Sequence, residues 1–288
     1  MSVCIVGLGN WGTSLAMGLR EADIPLREIV VRKKLRGRSL PTVAWSKAAF
    51  DAKVIWLCVP DSAIAATAAA VVERRPELRG QIVLHSSGAL TVEALNVARK
   101  AGAQIASVHP AMTFPSRDVV PLRGILFGVE APEARTLRTL RVLIRKLGGK
   151  PFALDSKKKA LYHAAGTLAS PLLVSALAAA VETAQLAGLD AQIAREWVEA
   201  LAAKTASNVF ERGAGKSFSG PFARGDAETI HLHLQALLPH PILAELYRAL
   251  ARHAVETLPV RNVASLREVL GGKTWSREKL KRQASQRE

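Results

Sequence analysis

The sequence predicts an α/β domain built on a doubly wound, mostly parallel sheet, followed by an all-α domain. Three observations carry that expectation. Through the first half of the chain, short apolar runs alternate with helical patterns. Some of those runs, VIWLCV and QIVLH among them, are almost continuously apolar, as strands are when helices cover both sheet faces. After Asp155 the alternation stops, and the chain reads as helical almost throughout.

In order, strands are expected at 3–6, 28–32, 54–59, 81–85, 104–108, 124–130 and 151–154. Helical patterns fall between them at 10–22, 61–76, 90–101 and 131–147. The longer helices of the second half are expected at 157–188, 190–212, 226–238 and 241–257. Gly188 with Asp190, and the loop GAGKSFSGP, mark boundaries there. The domains are therefore 1–155, α/β; 156–270, helical; and 271–288, a basic tail without apolar period that is expected to be flexible. At 288 residues the chain is long enough for both cores.

The stretch GLGNWG, residues 7–12, follows the first strand and opens the first helix, the setting in which a glycine-rich loop cradles a dinucleotide. Gly7 permits the tight turn, Gly9 lets the backbone approach a pyrophosphate, and Gly12 lets helix and strand pack closely. Leu8, Asn10 and Trp11 complete the cofactor loop, and the helix N-terminus offers free N–H groups to phosphate. A plain strand–helix turn is the alternative. An NAD-binding chain places an acid about 20 residues past this loop. Here the second strand runs into Arg32 and Lys33, with Lys34, Arg36 and Arg38 beyond. Guanidinium and ammonium groups pair with a 2′-phosphate, so NADP (as NADPH) is favoured over NAD; a solvated basic turn is the alternative. Val59 and Pro60 at the end of the VIWLCV strand, and Ser86 and Ser87 at the end of the next, are placed against the cofactor. Asp61 or Ser62 is expected to cap the helix that follows.

Composition narrows the classes. Hydrophobic residues are 49% and charged residues 22%, the balance of a soluble globular protein. Cys4 and Cys58 have neither disulfide nor zinc spacing, and no secretory leader is visible, so a cytoplasmic protein is expected. The run 161–181 lacks Asp, Glu, Lys and Arg, but it is rich in Ala, Gly, Ser and Thr and holds His163 and Pro171. It reads as a tightly packed internal helix rather than a membrane span. The net charge of +16 concentrates in 27–38 and in 261–288, without the aromatic interleaving of a nucleic-acid platform. No membrane partner and no specific nucleic acid are expected.

The chain also resembles a family: Rossmann-like proteins with a DUF2520 helical domain, within the 6-phosphogluconate dehydrogenase-like superfamily. The residues that carry the likeness are GLGNWG (7–12), VPDSAI (59–64), LHSSGAL (84–90), SVHPAMTFP (107–115), YHAAGTLAS (162–170) and SGPFARGDAETIHLHL (219–234). Pyrroline-5-carboxylate reductases, ketopantoate reductases and F420-dependent NADP reductases look like its cousins. The resemblance implies NADP binding, reductase activity on an unspecified substrate, and homodimers packed through the helical domain. One departure matters. Related branches carry Lys-x-x-x-Asn on the first helix after the sheet, whereas here Lys159 is followed by His163.

Hydride transfer to a C=O or C=N bond needs a proton source and a stabiliser for the developing anion. His85 and His109 lie at neighbouring strand ends, and His163 opens the helical region. The candidate acids are His163, then His109, then Lys159, the histidines because their ordinary pKa is near neutral. Thr167 continues the face of Lys159 and His163 and is a substrate-binding candidate. Arg224 is a candidate for a substrate carboxylate, and Asp226 reads as a helix cap. For each lone histidine a hydrogen-bonded structural role is the alternative. GAGKS at 213–217 imitates a P-loop tail, yet Phe210 stands where its first glycine belongs. His231 and His233, two apart on a helix, diverge, and no metal site is expected. The reading is an NADPH-dependent reductase of a small, carboxylate-bearing carbonyl or imine between the domains; the alternative is a non-catalytic NADP-binding regulator or scaffold.

Overall fold

The computed structural model describes residues 1–32, 40, 42–116 and 118–271. Lys33, Lys34, Arg36, Arg38 and nearly all of the expected basic tail lie outside the described residues. The chain divides into two compact units, Met1–Ser170 and Pro171 onward.

In the first unit the elements are β1 (Val3–Val6), α1 (Asn10–Glu21), β2 (Leu26–Val31), β3 (Val43–Ala44), β4 (Val54–Leu57), α2 (Ile64–Arg74) and β5 (Ile82–His85). Then follow α3 (Asn96–Lys100), β6 (Gln104–Pro110), β7 (Leu126–Glu130), α4 (Ala134–Lys146), β8 (Lys150–Ala153) and α5 (Lys159–Ala169). The strands form one sheet in the order β3-β2-β1-β4-β5-β6-β7-β8. Every neighbouring pair is parallel except β6 and β7, which run antiparallel.

The alternation of a strand explains the two faces. Val3 and Ile5 enter the core shared with Leu15 and Leu19 of α1 and Leu140 and Leu143 of α4. Cys4 and Val6 enter the opposite core, with Ile64, Ala68 and Val71 of α2 and Ala98 of α3. Helices thus cover both faces, which is why the strands read as unbroken apolar runs. The two-residue β3 is too short to leave a period in the sequence. The helix expected at 90–101 is a 3-10 turn, Val92–Leu95, running into the short α3.

The second unit holds α6 (Pro171–Leu186), α7 (Ala191–Arg212), α8 (Ala214–Ser217), α9 (Gly220–Arg224), α10 (Ala227–Ala236), α11 (Pro241–Thr257) and α12 (Val263–Leu270). Its core lies among α10, α11 and α12, where Ile230, Leu234, Val255, Leu266 and Leu270 meet. The expected single helix at 157–188 breaks at Ser170, because Pro171 disfavours helical geometry in the residue before it. The first compact unit ends at Ser170, where α5 ends.

The apolar run 161–181 is not the tightly packed internal helix that its composition suggested. Of α6 only Ala184 is buried, and of α7 only Ala194. Leu168, Leu172, Val174, Trp197 and Phe210 are all exposed. Residues 156–186, with a window of mean hydropathy 1.8, are long and apolar enough to cross a membrane by length and composition. The helices carry more apolar surface than the described chain covers.

Two loop glycines give opposite expectations. Gly7 has φ +101°, and a Cβ there would overlap the Cys58 carbonyl; Gly9 has nothing within 4 Å of that position. Gly7→Ala should destabilise the fold by about 1–3 kcal/mol in chemical denaturation. Gly9→Ala should stay within about 0.5 kcal/mol of the parent.

Candidate functional site

The glycine loop sits where strand order reverses, with β1 flanked by β2 and β4. That is where an open α/β sheet presents its ligand crevice. Gly7 turns the chain against Cys58, and a Cβ on Gly12 would overlap the Gly7 carbonyl, so neither position tolerates a side chain as it stands. Gly9 is extended, exposed and N-terminal to α1. The first N–H groups of that helix have no intrahelical acceptor, and no acid stands in its first turn. Such a helix start suits an anion held by backbone N–H groups.

The other loop residues contribute differently. Leu8 is buried in the sheet core, so its backbone is what it offers. Asn10 Nδ2 donates to the Phe114 carbonyl at 2.8 Å, and the Trp11 ring packs on Phe114 with centroids 5.1 Å apart. Trp11 Nε1 and Trp56 Nε1 both donate to Ser86 Oγ, at 2.8 and 2.7 Å. These bonds tie the loop to the end of β5 and to the segment after β6. With both lone pairs of Ser86 engaged, its hydroxyl proton is left to donate elsewhere. Val59 is half-buried and Pro60 exposed just beyond β4; Arg32 is exposed immediately after β2. Lys33 lies outside the described residues.

At the ends of β5 and β6 the polar groups sort into two sets. His85 is fully buried: its Nδ1 accepts from the Ser87 N–H and its Nε2 meets the Thr91 carbonyl, each at 3.1 Å. Burial pulls its pKa down to about 4. Ser87 Oγ donates to Asp61 Oδ2 at 2.7 Å and accepts from the N–H groups of Ala89 and Leu90. Asp61 therefore braces Ser87 instead of capping the next helix, and the residue N-terminal to α2, Ala63, provides no side-chain cap.

The second set meets α5. His109 Nδ1 lies 2.8 Å from Tyr162 Oη, and the rings of His109 and His163 stand nearly perpendicular with centroids 5.8 Å apart. A Cβ on Gly88 would overlap His163 Nδ1 and lie 2.8 Å from His109 Nε2. The missing side chain leaves both nitrogens facing the same space. His109 is pulled down to about 4, first by burial, then by His163 and Lys159, with Asp61 opposing. Burial raises the Tyr162 phenol.

Lys159 has no exposed surface. Its Nζ donates to Glu130 Oε2 at 2.9 Å and to Ser107 Oγ at 2.6 Å. Glu130 Oε1 accepts in turn from Ser156 Oγ at 2.6 Å and the Val92 N–H at 3.1 Å. Burial pulls the ammonium below its ordinary value while Glu130 resists. Lys159 is thus an anchor between α5 and the sheet, one turn from His163 but engaged elsewhere. Thr167 Oγ1 donates to the His163 carbonyl at 3.1 Å. In the second unit Arg224 is exposed at the end of α9, and Asp226 caps α10 through the Thr229 N–H. His233 Nδ1 lies 2.8 Å from Tyr247 Oη, and among the described residues no group of three metal-ligating side chains occurs.

Three participants escaped the sequence reading: Tyr162, Gly88 and Glu130. Tyr162 stands next to His163 and three residues after Lys159, a spacing that helix geometry could have used. Gly88 and Glu130 left no local signal.

Residues 1–110 match the model of the Rossmann-like domain, and residues 125–254 match the domain of unknown function DUF2520. The chain carries both. No curated protein matches it. Among solved structures, the provisionally named NADP oxidoreductase of Bacteroides fragilis is 23% identical with a TM-score of 0.71, covering 88% of this chain and 96% of its own. A Thermotoga maritima protein is 24% identical with a TM-score of 0.68, covering 88% and 98%. The pyrroline carboxylate reductase of Plasmodium falciparum, solved with NADP bound, is 14% identical with a TM-score of 0.60, covering 94% and 97%. At these identities the likeness is one of fold.

Removing one partner of the buried pair isolates the other. Lys159→Met should lower stability by about 3–5 kcal/mol, and adding Glu130→Gln should recover part of that loss, as read from denaturant midpoints.

Proposed function

We propose that the protein is an NADPH-dependent oxidoreductase that reduces a small, carboxylate-bearing carbonyl or imine. The observation that carries the reading is the pairing of a glycine-rich loop at Gly7–Gly12, whose backbone opens a helix, with titratable groups at the ends of the neighbouring strands. His109 and His163 share one space over Gly88, which suits a proton source for the atom opposite the carbon that accepts hydride. Arg32 beyond β2, with Lys33 next in sequence, suits a 2′-phosphate. The fold likeness to a pyrroline carboxylate reductase solved with NADP supports the cofactor and the imine class.

NADPH oxidation by the purified protein against 2-oxo acids, 3-oxo acids and cyclic imines should give turnover on one class. His109→Ala and His163→Ala should each lower kcat by about 100-fold or more. Gly9→Ala should weaken NADPH binding while leaving the fold intact. Full turnover in both histidine variants would remove them as proton sources. NADPH binding with silence across the panel would favour a regulator or scaffold that holds the cofactor without turnover.

The exposed apolar faces of α6 and α7 are read as the contact of a homodimer formed through the helical unit. Sedimentation at micromolar concentration should return the mass of two chains, and Trp197→Glu should shift it toward one.

A further inference from the structure

We infer that Tyr162 and a neutral His109 form a proton relay, in which His109 delivers the proton from Nε2 and Tyr162 resupplies Nδ1. The inference rests on the reductase reading and says how its acid works. A Tyr–His contact at 2.8 Å has two polarities, and the surroundings choose between them. The phenol is held more protonated than usual by burial, so it has a proton to give. The imidazole is held with a single ring proton, because burial, His163 and Lys159 all oppose a cation there.

The charged and titratable groups facing His109 are His163, Tyr162 and Lys159 from α5 and Asp61 from the turn before α2. Among the described residues only Asp61 favours the cation, and it is engaged with Ser87. Glu130 is committed to Lys159. With Oη donating to Nδ1, the ring proton must sit on Nε2, the nitrogen that faces the space over Gly88. A glycine at 88 is what keeps that nitrogen uncovered.

The step balances. A C–H bond forms as hydride leaves NADPH for the substrate carbon. The Nε2–H bond breaks as an O–H or N–H bond forms on the carbonyl oxygen or imine nitrogen. The Oη–H bond breaks as Nδ1–H forms; Nδ1 then returns that proton to the phenolate as Nε2 takes one from water, which restores the starting tautomer. Delivery by a neutral imidazole does not require the group to be cationic beforehand. A histidinium acid with an ordinary pKa of about 6.5 would instead lose activity as the pH rises past that value.

The test uses the full-length protein labelled with 15N-histidine and long-range 1H–15N correlation spectra between pH 5 and 8, for the parent and for Tyr162→Phe. The parent should show His109 neutral throughout, with its proton on Nε2. Tyr162→Phe should fold and shift His109 toward a mixture of tautomers. On whichever substrate the parent turns over, Tyr162→Phe should lower kcat by about 10- to 100-fold with the KM for NADPH little changed. A proton on Nδ1 in the parent, a tautomer indifferent to Tyr162→Phe, or a His109 titrating near 6.5 would overturn the relay while leaving the reductase reading in place. The expected spectra combined with silence on every carbonyl and imine would overturn the reductase reading, and with it any catalytic role for the pair.

Discussion

The buried ion pair between Lys159 and Glu130 sets the position of everything polar around it. A fully buried ammonium is tolerable only with a close anion and satisfied hydrogen bonds, and Lys159 obtains both from Glu130 and Ser107 on adjacent, antiparallel strands. That requirement pins the first turn of α5 to the middle of β6 and to the carboxyl end of β7. Tyr162 and His163, within the next turn, are thereby delivered to His109. The lysine matters to the site through where it holds the helix, its ammonium being bonded to Glu130 and Ser107.

A second constraint acts from the other side. Ser86 accepts two indole N–H groups, one from the glycine loop and one from β4. Asn10 and Trp11 engage Phe114 beyond β6. The anion cradle and the histidine-bearing strand ends are therefore not independent: the side chains of the loop fix its neighbours, and its backbone remains for the ligand. Burial does the rest, since it keeps His85 and His109 uncharged and the Tyr162 phenol protonated. The neutral forms are those suited to directional hydrogen bonds.

The fold was largely legible because its signals are local or periodic. Continuous apolar strands, helices between them and GLGNWG after the first strand specify a doubly wound sheet without knowledge of any contact. The misses have physical causes. β3 is two residues long, the 3-10 turn at Val92–Leu95 carries the same apolar residues as a helix, and Pro171 breaks a run whose composition is uniform. The run at 161–181 has the small apolar residues that usually pack inside, yet a single chain need not cover every apolar helix it makes.

By itself, the sequence determined the order and type of most of the longer elements, the glycine-rich loop, the basic residues beyond β2 and the list of histidines. Each depends on neighbours within a few residues. Only the tertiary structure decided which titratable groups act together. Glu130 engaged Lys159 in a buried ion pair, Asp61 went to Ser87 rather than to a helix cap, and Tyr162 joined His109 across 53 positions of chain. Hydrogen bonds and desolvation depend on distances of a few ångströms in space, and those distances are set by packing between strands and helices far apart in the sequence.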